Sequence, residues 1–144
     1  MFALVRPDSW NLPLFLHILG ATILVGAMAS AAIAARASSS PVIPRALPFR
    51  ILLLVAIPSW LLMRLAGQWI DSKENVPGDP TWLGIGFTVG DIGLVVLIVA
   101  TGLAWWAAKR PAKSWPRLTT LGLSLLYLAA LAVAMWAMSA KPGA

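Results

Sequence analysis

Cysteine is absent from the 144 residues, histidine occurs once, and only 11% of the chain is charged. Without cysteine there are no disulfides, thiolate metal sites, iron–sulfur clusters or cysteine nucleophiles. A charged fraction so far below the roughly 25% of ordinary soluble domains argues against a disordered chain and against a water-soluble catalytic domain. No lysine lies within an apolar stretch, so a retinal Schiff base is excluded as well. What remains is 60% hydrophobic, with 8 Trp, 11 Gly and 11 Pro, the composition of a polytopic membrane protein of one domain spanning residues 1–144.

Charged residues divide the chain into four apolar stretches: Leu12 to Ala35, Ile51 to Ile70, Leu83 to Ala108 and Leu118 to Met138. Each is near the ~20 residues that a helix needs to cross ~30 Å of hydrocarbon. Four strands could not close a barrel, so the expected fold is all-α, a bundle of four transmembrane helices. The first stretch, followed by Ala35-Arg36-Ala37, is too long for the apolar region of a signal peptide and is read as a span. Asn11 before Pro13 reads as its capping residue. Pro58, in the middle of the second span, deprives the carbonyl of Leu54 of its donor and predicts a kink.

The connections differ in charge. Arg36, Arg45 and Arg50 in the first, and Lys109, Arg110, Lys113 and Arg117 in the third, have no acid beside them. The second carries Asp71, Lys73, Glu74 and Asp79, and the tails hold Arg6, Asp8 and Lys141. By the positive-inside rule the first and third connections are cytoplasmic and both termini lie outside. The net charge of +6 therefore serves topology and anionic headgroups, with no nucleic-acid partner implied. Trp10, Trp69, Trp82, Trp105, Trp106, Trp115 and Trp136 fall near span ends, as belt residues do, whereas Trp60 lies inside a span.

Small residues are expected to let helices approach. The first span has the stripes Gly26, Ser30, Ala34 and Ala27, Ala31, Ala35, and the third has Gly86, Gly90 and Gly93, facing either one another or a second copy. Thr120, Ser124 and Tyr127 share one face of the fourth span and are expected to point into the bundle, with Thr120 and Ser124 able to bond to their own helix.

Only His17, Arg64 and Asp91 interrupt the spans, and intramembrane ionisable groups are functional candidates because each is costly there. Counted from the outer ends they lie roughly 8, 9 and 12 Å deep, in one layer, so all three can meet. Trp60 and Gln68 accompany Arg64, and Thr88 accompanies Asp91. An Arg64–Asp91 pair would neutralise both charges, with His17 adding a hydrogen bond; the alternatives are a snorkelling Arg64 and a purely structural pair. A b-type haem could take His17 as one axial ligand, bis-histidine ligation requiring a second copy. Copper(I) suits His17 with the thioethers of Met63, Met135 and Met138, which lie toward the outer side. Proton transfer through Asp91 and His17 lacks the further polar residues and internal repeats of transporters.

Leu16-His17-Ile18-Leu19-Gly20-Ala21, then Val25-Gly26, resembles the opening of small bacterial four-helix membrane proteins related to the copper-resistance D type. Trp82-Leu83-Gly84-Ile85-Gly86 and Gly90-Asp91-Ile92-Gly93 are similar to a family of integral membrane proteins without assigned function. The resemblance implies a four-helix fold and, for the wider group, haem or copper handling by the first-span histidine. Enzymes of that group which oxidise protoporphyrinogen carry a Trp and an Arg after this histidine, where Ala21 to Ala35 here is apolar or small. The leading expectation is thus a non-enzymatic protein, an accessory subunit or scaffold holding other membrane subunits or a second copy. The alternative is a small haem- or copper-binding protein using His17.

Overall fold

Proline and apolar length decide where the helices start and how far they run. The computed structural model describes residues 8–74, 78 and 80–141, apart from the side chains of Asp8 and Glu74. Arg6 and Asp79, to which the charge pattern assigned topological roles, lie outside the described residues. A 3₁₀ turn, Asp8–Trp10, leads into α1, Asn11–Ala37. A short helix α2, Leu47–Ile51, passes through a π-helical turn, Leu52–Ala56, into α3, Ile57–Glu74; α4 is Thr81–Lys109 and α5 is Trp115–Ala140. No strand occurs among the described residues. The protein is all-helical, with four helices long and apolar enough to cross a membrane, as an integral membrane protein requires.

All four spans run beyond the boundaries read from charge, because helical pairing continues into the interfacial layer where polar residues are tolerated. Pro13, Pro48 and Pro116 sit in the first turns of α1, α2 and α5, where the missing N–H has no intrahelical partner to lose. One boundary detail differs from expectation. The N-cap of α1 is Trp10, without a side-chain cap hydrogen bond, and Asn11 is the first helical residue, because the preceding 3₁₀ turn feeds the helix directly.

Pro58 acts one turn upstream of itself. Its ring removes a donor, and the backbone before it widens into the π turn, in which the N–H of Ile57 bonds to the carbonyl of Leu52, five residues back. Ser59 Oγ donates to the carbonyl of Val55 at 2.6 Å, satisfying an acceptor in the disturbed turn.

α1 lies against α3 and α5, and α5 packs along α4, but α3 and α4 barely meet. At the end bearing the basic connections the helices close tightly around Leu24, Ala27, Met28, Ala31, Leu52, Leu97, Ala100 and Ala104. Ala27, Ala31 and Ala35 of α1 are buried there, as their stripe predicts, whereas Gly26 and Ser30 face outward. Leu12, Phe15, Ile18, Leu54, Leu65, Ile92, Val95, Ile98, Leu126 and Trp136 are exposed, apolar surface suited to acyl chains. Trp106 and Trp115 stack edge to face at 5.0 Å beside the basic connections, and Lys109 lies 5.2 Å from the Trp105 ring, an interfacial arrangement.

Candidate functional site

At the opposite end all four helices line a half-open cavity of about 430 Å³. All four contribute walls: Ala21 and Val25 from α1, Met63 and Gly67 from α3, Phe87 from α4, Leu131 from α5. The lining is mostly apolar, with His17 and Arg64 as its ionisable membrane-embedded members.

The position of His17 depends on glycine at two places. Gly20, one turn on, is where α1 touches the backbone of α3: a Cβ there would lie 2.6 Å from the amide nitrogen of Met63 and 3.0 Å from the carbonyl oxygen of Ser59. Gly67 leaves room for the imidazole, since a Cβ there would lie 3.1 Å from His17 Nδ1. So admitted, Nδ1 sits 2.8 Å from the carbonyl oxygen of Met63. A carbonyl only accepts, so Nδ1 carries the proton, and in a neutral ring Nε2 is left as a bare lone pair. This differs from the expectation that His17 would bond to the Arg64–Asp91 pair. The backbone of α3 comes closer than either side chain, because Gly20 removes the intervening Cβ.

Arg64 and Asp91 do meet. Arg64 Nε donates to Asp91 Oδ1 at 2.9 Å, and the guanidinium carbon lies 4.8 Å from the centre of the Phe87 ring. The pair is asymmetric: the Arg64 side chain is 18% exposed and that of Asp91 is 60%. Arg64 Nη1 is buried with no hydrogen-bond partner. One turn away Trp60 Nε1 donates to the carbonyl of Gly90 at 2.8 Å. These contacts bridge the thin α3–α4 seam, so the layer of ionisable residues closes the part of the bundle that apolar packing leaves open.

The other candidates are placed as follows. Tyr127 is buried against Gly93, whose missing side chain leaves space for the phenol ring. Thr120 and Ser124 are buried on the same face as Tyr127; Thr120 bonds back to the carbonyl of Pro116, while the hydroxyls of Ser124 and Tyr127 have no hydrogen-bond partner. Gln68 and Thr88 are exposed. Met63, Met135 and Met138 all line the cavity with His17, and Met138 packs over Gly86. Gly86, Gly90 and Gly93 therefore seat Met138, Arg64 and Tyr127 within the monomer. Among the described residues no group of three or more His, Cys, Asp or Glu could hold a metal ion. Reading the sequence alone missed Gly20 and Gly67; a glycine at His17+3 was visible, but its backbone contact was not.

Set against known protein families, curated proteins and solved structures, the chain matches none of them.

Proposed function

We propose that this chain is a non-enzymatic, multi-pass membrane binding protein whose cavity takes up a small lipid-soluble molecule bearing a hydroxyl, held by donation to Nε2 of His17. The observation that carries the reading is the 2.8 Å bond from Nδ1 to the Met63 carbonyl, which leaves the other nitrogen an acceptor on the wall of an apolar cavity. Cavities of this size and composition, apolar with a few fixed polar groups, suit small ligands. An accessory role in a membrane complex follows if that ligand is shared with other subunits. Gly86, Gly90 and Gly93 of α4 give less support to a scaffold, because they are occupied by side chains of their own monomer.

The test uses a medium-chain alkylphenol as probe, with its binding to the purified chain in detergent followed by titration calorimetry. Binding should saturate at one molecule per chain. His17→Leu should weaken it about 2- to 10-fold, the range for one hydrogen bond, and Ala134→Trp should abolish it. Non-saturable partitioning, unchanged by either variant, would overturn the reading.

A second reading is favoured by Met63, Met135 and Met138 lining the same cavity as His17. Thioethers with an imidazole nitrogen form a soft donor set fitted to copper(I), and the backbone bond at Nδ1 is the kind of support that orients a ligating histidine. For a b-type haem the chain supplies one imidazole, and a thioether or the histidine of a second copy would have to complete the axial pair. Copper(I) titration should give one equivalent, lost in both His17→Leu and Met138→Leu; absence of stoichiometric uptake removes this reading.

Orientation follows the charge bias, with both termini outside a bacterial plasma membrane. Ser39 and Ser72 are exposed near opposite ends of the bundle. A cysteine at Ser72 should react with an impermeant external reagent, and one at Ser39 should not; the reverse labelling would invert the topology.

A further inference from the structure

A second, smaller cavity lies at the basic end, about 180 Å³, between the last turn of α1, the first turn of α5 and the two basic connections. Its lining includes three cations, Arg45, Lys113 and Arg117, and three serines, Ser38, Ser39 and Ser114. The negative end of α1 is already satisfied here. Arg117 Nη1 lies 3.3 Å from the carbonyls of both Ala35 and Arg36, and the hydroxyls of Ser38 and Ser39 donate to the carbonyls of Ala35 and Arg36. Arg117 is thereby fixed as the partly buried floor, with Arg45 and Lys113 on the exposed rim. Ser114, which lines the cavity, is the N-cap of α5 and makes no side-chain cap hydrogen bond, so its hydroxyl does not cover the positive end of that helix.

Among the described residues, neither the two basic connections nor the cavity lining carries a carboxylate. All five acids, at positions 8, 71, 74, 79 and 91, lie in the other connection, the first tail or the Arg64 pair, whereas seven Lys and Arg residues lie between 36–50 and 109–117. Cations converging on a cavity with no carboxylate need an anion from outside the chain. Trp106 and Trp115, each next in sequence to a lining residue, Ala107 and Ser114, meet edge to face, and aromatic residues of this kind favour the headgroup layer.

We propose that this cavity is a specific site for a phosphate group, supplied by an anionic phospholipid whose phosphate lies at that depth. Arg117 offers guanidinium donors from the floor, Arg45 and Lys113 close over the phosphate from the rim, and Ser114 Oγ is a further donor. The site is independent of the His17 cavity, and its readout does not involve the alkylphenol.

The test uses the full chain in detergent, with retained lipid read by native mass spectrometry after addition of phosphatidic acid, phosphatidylcholine or inorganic phosphate. Wild type should retain phosphatidic acid over phosphatidylcholine. In the double variant Arg45→Gln/Lys113→Gln that preference should fall about fivefold for each cation removed. Arg36→Gln/Lys109→Gln, which removes equal charge from positions outside the cavity lining, should leave the preference within about twofold of wild type, because exposed charges away from the bound phosphate are screened by solvent and salt. Arg117 is left intact because it also caps α1. Thermal protection by inorganic phosphate, lost in the rim variant, would retain the phosphate site and reassign its source to a soluble anion. Equal loss from the two double variants, or no preference in wild type, would overturn the proposal.

Discussion

Gly20→Ala is expected to be among the most damaging single-methyl additions in the protein, costing about 1–3 kcal/mol of stability. The Cβ would meet the amide nitrogen of Met63 at 2.6 Å and the carbonyl of Ser59 at 3.0 Å. Both neighbours are helix backbone, so no side chain can swing aside and α1 must move away from α3. Gly26→Ala is the natural control. It is in the same helix, but a Cβ there meets nothing within 4 Å, so the higher helix propensity of alanine should leave stability unchanged or raise it by up to ~1 kcal/mol. Thermal unfolding of the two variants in one detergent measures the difference. Separation of α1 from α3 should also weaken alkylphenol binding in Gly20→Ala, because the His17–Met63 bond spans that contact; equal stability of the two variants would refute the close approach.

The second large effect is asymmetric. Asp91→Leu leaves the mostly enclosed Arg64 guanidinium without its carboxylate in an apolar layer, where an unpaired cation costs up to roughly 2.5–3.5 kcal/mol. Arg64→Leu should cost less, because the Asp91 side chain is 60% exposed and has a shorter route to the interface. The double variant should recover most of what Asp91→Leu loses, since a pair replaced by apolar groups is often near neutral. A double-mutant cycle built on unfolding midpoints gives the coupling directly. Additive losses would mean that the 2.9 Å contact contributes no stabilising coupling.

Four spans were legible because apolar length is a one-dimensional property, and the meeting of Arg64 with Asp91 was legible because helical rise converts residue count into depth. Trp60 was also placed well, as an indole one turn from Arg64 that reaches the carbonyl of Gly90. Lateral direction was harder. Gln68 is one turn beyond Arg64 yet exposed, because the inward face of α3 runs through Trp60, Met63 and Ala66, and the long Arg64 side chain reaches its partner from the edge of that face. The partner of His17 was not legible at all. A backbone carbonyl has no signature in sequence, and its accessibility depends on Gly20 and Gly67 lying at one helix crossing. The π turn was half legible: Pro58 announces a lost donor, but not whether the helix answers with a bend or a wider turn. The larger cavity depends on how the four helices are placed around it, and the smaller on how the two basic connections lie over helix ends, packing that periodicity does not carry.

His17, on the cavity wall, is the one histidine of the chain, so selective ¹⁵N-histidine labelling yields a single imidazole whose two nitrogens can be followed. At mildly alkaline pH, nitrogen–proton correlation spectra of the ring should report the Nδ1-protonated tautomer, with the Nε2 resonance moving on addition of the alkylphenol and Nδ1 nearly still. A ring protonated at Nε2, or an Nε2 resonance indifferent to the probe, would contradict the account.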